Sequence, residues 1–258
     1  MNSIRVLVAG IEGKMGSHVA MAVHNASDMA LVGGIENKED HSIHVLGQEI
    51  PVYRDIAKAV QLLRPDVLVD FTHAQAAQQT VLAAIEHGVR PVVGTTGFTQ
   101  AAMEQFVQAL DAHKIGAVFA PNFAIGALLM IRAAEMAARY LPYAEIVEYH
   151  HEGKLDAPSG TAKKTALQIA SSREEAGVTT TSLATSAALH TIAGTPIHSV
   201  RLPGFVAHQE VIFGHAGERL TIRHDSISRD SFMPGVLLAV RQVMNVTGLI
   251  DGLEHLLF

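Results

Sequence analysis

The chain has 258 residues, 48% of them apolar, with a formal net charge of −6. That apolar share supplies a full core and excludes a disordered chain, and the acidic balance argues against a nucleic-acid surface. Cysteine is absent, which excludes a disulfide framework and thiol catalysis.

Ile4 to Ala9 is a short apolar run, the pattern of a strand buried on both faces. It runs into Gly10-Ile11-Glu12-Gly13-Lys14-Met15-Gly16, then a helical pattern through Val19, Ala20, Ala22 and Val23. A second strand, Leu31 to Ile35, ends at Glu36, 20 residues after Gly16. Strand, glycine turn, helix, strand and acidic residue form the dinucleotide-binding layout. The glycines allow a tight turn and close approach to a pyrophosphate, and Glu36 is placed to accept hydrogen bonds from ribose hydroxyls. The spacing is Gly-x-x-Gly-x-x-Gly rather than the commoner Gly-x-Gly-x-x-Gly, so the context carries the reading more than the motif does. The segment before Gly10 lacks the apolar core of a signal peptide, and no apolar run is as long as a membrane span. A soluble cytoplasmic protein is the expectation.

The alternation continues. Helices are expected over Ile56–Leu63, Ala74–His87 and Thr99–His113, and strands over Asp66–Phe71, Pro91–Val93 and Ile115–Ala120. Strands alternating with helices predict a parallel sheet covered on both faces. Ligands of such sheets bind beyond the carboxyl ends of the strands. Three turns fall there: Asp70-Phe71-Thr72, Gly94-Thr95-Thr96-Gly97 and Pro121-Asn122-Phe123-Ala124. Each suits an ordinary loop; together with the first glycine turn they outline a cofactor cleft.

After Pro121 the pattern changes. Ile125 to Tyr140 reads as a helix rich in Ala and Met, and Ala144 to Val147 as a strand. Next comes Glu148-Tyr149-His150-His151-Glu152-Gly153-Lys154-Leu155-Asp156-Ala157-Pro158-Ser159-Gly160-Thr161-Ala162, then a helix from Ala162 ending near Gly177. A helix start offers backbone N–H groups and partial positive charge to an anion. Two imidazoles and an ammonium precede it, so this stretch reads as a place where an acidic small molecule is held and protonated. The plainer alternatives are a simple helix cap and a solvated His pair. Adjacent histidines are poor zinc spacing, and no metal site is expected. Residues 178–195 give no clear periodicity. Ile197–Leu202, Gln209–Phe213 and Glu218–His224 read as three antiparallel strands whose outer face can bury against a second copy. A helix is expected from Asp230 through Val243, and the apolar tail from Gly248 to Phe258 is expected to dock on the first domain.

The chain resembles the 4-hydroxy-tetrahydrodipicolinate reductase (dihydrodipicolinate reductase) family. The resemblance rests on the Glu-x-His-His-x-x-Lys-x-Asp-Ala-Pro-Ser-Gly-Thr-Ala stretch at Glu148–Ala162. It extends to the turns at Gly10–Gly16, Asp70–Thr72, Gly94–Gly97 and Pro121–Phe123, to Arg201–Gly204 and to Arg229–Gly235. It implies an α/β fold, a Rossmann-like dinucleotide-binding domain (residues 1–122 with 231–258) joined by hinges to a mixed α+β domain (123–230) that binds substrate and builds a homotetramer. It implies NADH- or NADPH-dependent reduction of a cyclic dicarboxylate to tetrahydrodipicolinate in lysine and diaminopimelate biosynthesis. His150 matches the proton donor and Lys154 its catalytic companion; His151, Ser159, Gly160 and Thr161 match substrate-carboxylate binders. Gly10, Gly13, Met15, Glu36, Gly94, Thr96 and Phe123 match cofactor positions. Glu12, Lys14, Lys38, Phe71, Thr95, Pro121 and Asn122 lie on the same turns and complete the candidate set. Some relatives carry Arg just after the ribose-binding acid, but here Asn37 follows and Lys38 comes next. That leaves NAD versus NADP open. Glu36 repels a 2′-phosphate while Lys14 and Lys38 offset it, so use of both cofactors is expected. Two rival readings stay open: another two-domain dehydrogenase, and a nucleotide-sensing protein without catalysis. A semialdehyde dehydrogenase would need a nucleophilic cysteine, which the chain lacks.

Overall fold

A computed structural model describes residues 3–179 and 190–258. Contacts divide the chain into two compact units, Met1–Phe123 with Phe232–Phe258, and Ala124–Ser231.

The first unit opens with β1 (Ile4–Ala9), α1 (Lys14–Asn25) and β2 (Met29–Ile35). A hairpin follows, β3 (His41–Val45) and β4 (Gln48–Tyr53), then α2 (Ile56–Leu63), β5 (Val67–Asp70), α3 (Ala74–Glu86), β6 (Arg90–Val93), α4 (Gln100–His113) and β7 (Gly116–Phe119). The helices start where local chemistry favours it. Asp55 accepts hydrogen bonds from the Ala57 and Lys58 N–H groups, and Thr99 accepts one from Ala102. No element is expected between Glu36 and Ile56, and the hairpin there is the main departure from the expected order. Its two-residue turn is Leu46-Gly47, both at positive φ (48° and 87°). A turn of that hand is normally announced by Asn-Gly or Asp-Gly, and Pro51 inside β4 further hides the strand.

The second unit holds α5 (Ile125–Ala138), β8 (Tyr143–His150), α6 (Gly160–Ala176), β9 (His190–Ile192), β10 (Thr195–Arg201), β11 (Ala207–His215) and β12 (Glu218–Ser226). Its five strands lie in the order β12-β11-β8-β10-β9. The expectation of three neighbouring antiparallel strands therefore needs correcting. β11 and β12 do form an antiparallel hairpin, but β10 runs parallel to β8, and β8 separates β10 from β11. Both Arg201 and Ala207 are abreast of His150, on opposite sides of β8. The intervening Leu202–Val206 thus carries the chain past the end of β8. Alternation in a sequence fixes a strand's faces, not the edge it joins. The core of this unit includes Ile146, Ile169, Ile197, Val211 and Phe213, all fully buried.

The chain then returns to the first unit through a short 3-10 turn, Arg229–Phe232, α7 (Met233–Val243) and β13 (Gly248–Asp251). The expected helix start at Asp230 shifts to Met233, with Pro234 in its first turn, where a missing N–H costs nothing. β13 pairs in parallel with β7, so the apolar tail extends the first sheet. That sheet reads β13-β7-β6-β5-β1-β2-β4-β3, parallel throughout except for β3 at its edge. Among the described residues no helix is long and apolar enough to cross a membrane.

One contact ties α1 to the sheet. A Cβ built on Gly16 would lie 1.9 Å from the Gly10 carbonyl oxygen. Only a residue without a side chain lets the helix start this close to the turn. Gly16→Ala is therefore expected to lower stability by about 1–3 kcal/mol, the usual range for overpacking. Urea denaturation monitored by circular dichroism checks this, and an unchanged midpoint would refute it.

Candidate functional site

In the first unit, parallel register lines up the expected turns. Ala9 pairs with Ile35 and with Asp70, Asp70 with Val93, and Val93 with Phe119. The turns after β1, β2, β5, β6 and β7 therefore leave one edge of the sheet side by side. Asp70 joins two of them. Its Oδ1 accepts hydrogen bonds from the Thr72 N–H (2.9 Å), the Thr72 hydroxyl (2.8 Å) and the Thr95 hydroxyl (2.8 Å). Thr95 is thus buried and committed to Asp70, whereas Thr96 is exposed. Gly94 lies against Phe71, whose ring would be 2.0 Å from any added Cβ. Phe71 packs on Phe123 with ring centroids 5.3 Å apart. Pro121 is exposed and Asn122 half-buried beside it.

A groove of about 540 Å³ follows the glycine turn and is lined by Gly10, Glu12, Gly13, Lys14, Met15, Gly16, Glu36, Lys38, Phe71 and Thr72. Eight of the expected cofactor residues thus share one surface. A second groove of about 640 Å³ continues past Glu36 and Asn37 to Arg54, Thr72 and His73. These residues fit a dinucleotide. The turn opens α1 and presents helix N–H groups to a phosphate, Gly16 and Gly94 leave no side chain in the way, and Glu36 ends β2. The Glu36 Oε1 accepts a hydrogen bond from the Glu12 N–H at 2.8 Å. Lys38 does not lie against Glu36 as a counter-charge; its Nζ pairs with the Glu12 carboxylate at 3.1 Å.

In the second unit, His150 ends β8 and Ser159 caps α6, its hydroxyl accepting from the Ala162 N–H at 3.2 Å. Gly160 and Thr161 are the first residues of the helix. The centre of the stretch between them is Glu148, whose side chain has no solvent exposure. Arg201 grips it in bidentate fashion, at 2.9 and 2.8 Å. The Ser159 N–H reaches the same carboxylate at 3.3 Å, and its Oε2 is hydrogen-bonded to His150 Nδ1. Burial pushes the Glu148 carboxyl up, but hydrogen bonds from His150 and Arg201 outweigh it and hold the group down at about 2. Arg201 also donates to the Asp156 carbonyl at 2.8 Å, tying the loop to the strand. Lys154 Nζ pairs with Asp156 at 2.7 Å, and that contact lowers the Asp156 carboxyl. His151 is exposed. Among the described residues no group of three His, Asp or Glu is placed to hold a metal ion.

The residue pattern around Glu148 and Arg201 assigns neither a role. One signal was available: Ala144, Ile146 and Glu148 share the inward face of β8, and a carboxylate at a core-facing position demands a buried partner. Nothing local named Arg201, 53 residues away.

Glu148→Gln should remove the negative charge and leave the largely buried Arg201 guanidinium without its partner. The expected loss is about 3–5 kcal/mol at neutral pH. The folded-state carboxyl sits below its ordinary value of 4.5. Its stabilisation is therefore complete above that value and is lost as pH falls towards about 2. The gap between wild type and variant should narrow across that window in urea titrations, and a gap independent of pH would refute the assignment.

Residues 4–123 match the family model described as dihydrodipicolinate reductase, N-terminus, and residues 126–257 the one described as its C-terminus. The 4-hydroxy-tetrahydrodipicolinate reductase of Geobacillus kaustophilus (strain HTA426) is 46% identical over 263 residues, covering 99% of each chain. That of Listeria monocytogenes serotype 4b (strain F2365) is 44% identical over 262 residues, covering 98% of this chain and 100% of the relative. The dipicolinate-bound dihydrodipicolinate reductase of Paenisporosarcina sp. TG-14 superposes with a TM-score of 0.85 at 40% identity, over 98% of this chain and 99% of that one. With both units matched and full-length relatives at this identity, the chain belongs to the 4-hydroxy-tetrahydrodipicolinate reductase family.

Proposed function

We propose that this protein reduces 4-hydroxy-tetrahydrodipicolinate to tetrahydrodipicolinate with NADH or NADPH, in lysine and diaminopimelate biosynthesis. The observation that carries the reading is the anchored His150, fixed by buried Glu148 at the head of a stretch that ends in a capped helix start. A nucleotide sensor would need the glycine turn but no oriented proton donor. The relative from Paenisporosarcina is described as dipicolinate-bound, which supports a flat cyclic dicarboxylate as ligand here.

The net change adds a hydride and a proton and releases the 4-hydroxyl as water. The nicotinamide group, when bound, supplies the hydride. The chain's own residues do the rest. Glu148 engages His150 Nδ1 and so fixes the ring, leaving Nε2 as the nitrogen turned away from that carboxylate. The 4-hydroxyl and a neighbouring ring hydrogen leave as water, which creates the conjugated imine; hydride addition to it would leave an enamine, and His150 delivers the proton that quenches it. The start of α6 and His151 bind substrate carboxylates, and Lys154 balances their charge and polarises the ring. Lys154 is held by Asp156 at 2.7 Å, an exposed partner that a substrate carboxylate replaces at little cost.

His150→Gln should lower turnover by about 10²–10⁴-fold, the usual cost of one general acid, with little change in KM. Gly160→Val should raise KM instead, and Lys154→Ala should impair both. The assay follows oxidation of NADH and of NADPH on enzymatically generated substrate, across pH. No oxidation by wild type would favour the sensor. A His150→Gln variant within a few-fold of wild type, with the same pH profile, would shift the proton to water or Lys154.

We also propose a homotetramer built on the outer face of the second unit's sheet. Tyr149, Glu210 and Arg223 cover part of that face, joined by a 2.9 Å Tyr149–Glu210 hydrogen bond and by the Arg223 guanidinium over the Tyr149 ring. Half-exposed Val147 and Ile212 lie on the same face, opposite the side on which Ala144, Ile146 and Val211 are buried. Light scattering should give four times the protomer mass, and a fully active monomer would sink the idea.

A further inference from the structure

The nucleotide groove contains a charge of the wrong sign. Glu12 lies in the glycine turn, where a phosphate-binding loop ordinarily presents N–H groups and no carboxylate. Its side chain is not loose. An ammonium and an imidazole converge on its Oε2: Lys38 Nζ at 3.1 Å and His41 Nε2 at 3.3 Å. Its backbone N–H is bound to Glu36 Oε1 at 2.8 Å, which places Glu12 beside the acid expected to hold the adenosine ribose. His41 comes from β3, the hairpin strand invisible to sequence analysis. The contact with Lys38, first among several, holds the Glu12 carboxyl below the ordinary range, so it is anionic at neutral pH.

A carboxylate oxygen flanked by an ammonium and an imidazole about 3 Å away occupies the position that a non-bridging phosphate oxygen takes in a built phosphate site. We propose that Glu12 is an internal substitute for the 2′-phosphate: it occupies Lys38 and His41 and so sets the preference of this groove towards nucleotides with a free 2′-hydroxyl. Without a 2′-phosphate, a nucleotide meets a cluster already neutralised and leaves it intact. With one, about −1.5 to −2 charges arrive beside Glu12 and Glu36 and must displace the Glu12 carboxylate from its two partners. The structure thereby assigns Glu12 as a specificity-determining residue, and the Lys38 ammonium and the His41 imidazole as the groups it withholds. This rests on the dinucleotide reading of the first unit.

The test is calorimetric, on the full chain, with adenosine 5′-monophosphate and adenosine 2′,5′-bisphosphate as probes. Glu12→Gln keeps the shape and removes the charge at an exposed site, so folding is preserved. It should tighten the bisphosphate about 5- to 10-fold, the scale of an exposed ion pair released together with a like-charge repulsion, and leave the monophosphate within about twofold. Lys38→Met should weaken the bisphosphate several-fold and spare the monophosphate. The kcat/KM ratio of NADPH to NADH should rise in Glu12→Gln by the same factor as the binding ratio. If Glu12→Gln leaves the binding ratio unchanged or tightens both probes equally, or if Lys38→Met is silent, the Glu12 inference falls while the dinucleotide groove stands. If neither probe binds wild type or variant, the dinucleotide reading itself falls and takes the inference with it.

Discussion

A carboxylate without solvent contact must be neutralised from inside the protein, and Glu148 meets that demand with every group around it. Arg201 provides the counter-charge from β10, His150 joins from Glu148's own strand, β8, and the Ser159 N–H comes from the start of α6. Each partner belongs to a different part of the chain, so one charge fixes strand pairing, helix entry and imidazole orientation together. Had Glu148 been apolar, the unit would still possess a core, since Ile146, Ile169 and Ile197 are buried regardless. It would lack any reason to hold His150 in one position. A buried ion pair is weak as a source of net stability; what this one contributes is a fixed position for His150, which its proposed role as proton donor requires.

Asp70 performs a related task in the first unit. Fully buried at the end of β5, it collects the Thr72 and Thr95 donors and so binds the turns after β5 and β6 to each other. The two units thus use the same device, an inward carboxylate at the carboxyl end of a strand, to make loops behave as parts of the sheet. Loops held this way present backbone groups to a ligand with little ordering left to lose on binding.

Charge near the glycine turn follows a different rule, because it is exposed. The net charge of −6 means that the mean field of the protein opposes an anionic nucleotide. Local positive groups must overcome it, yet the Lys38 ammonium is spent on Glu12, with the His41 imidazole beside it. Exposed pairs of this kind are individually weak. They bias a choice between two similar ligands far more than they stabilise a fold.

Much of the architecture was legible in the sequence, because periodicity and glycine placement are local. The βα alternation of the first unit, the glycine turn with Glu36 after β2, and the helix opened by Pro158-Ser159-Gly160 all follow from patterns within some twenty residues. The hairpin at residues 41–53 was not legible, since Leu46-Gly47 lacks the usual turn chemistry. The parallel seat of β10 was not either, because alternation says nothing about which edge a strand will join. Among candidate functional groups, the sequence pattern pointed to His150, Lys154 and the helix start, which lie in one contiguous stretch. Tertiary structure alone decided that Arg201 neutralises Glu148 and that His41 reaches Glu12. Both contacts join residues brought together by strand pairing, and the Coulomb energy that selects them depends on distance in space, which no spacing along the chain encodes.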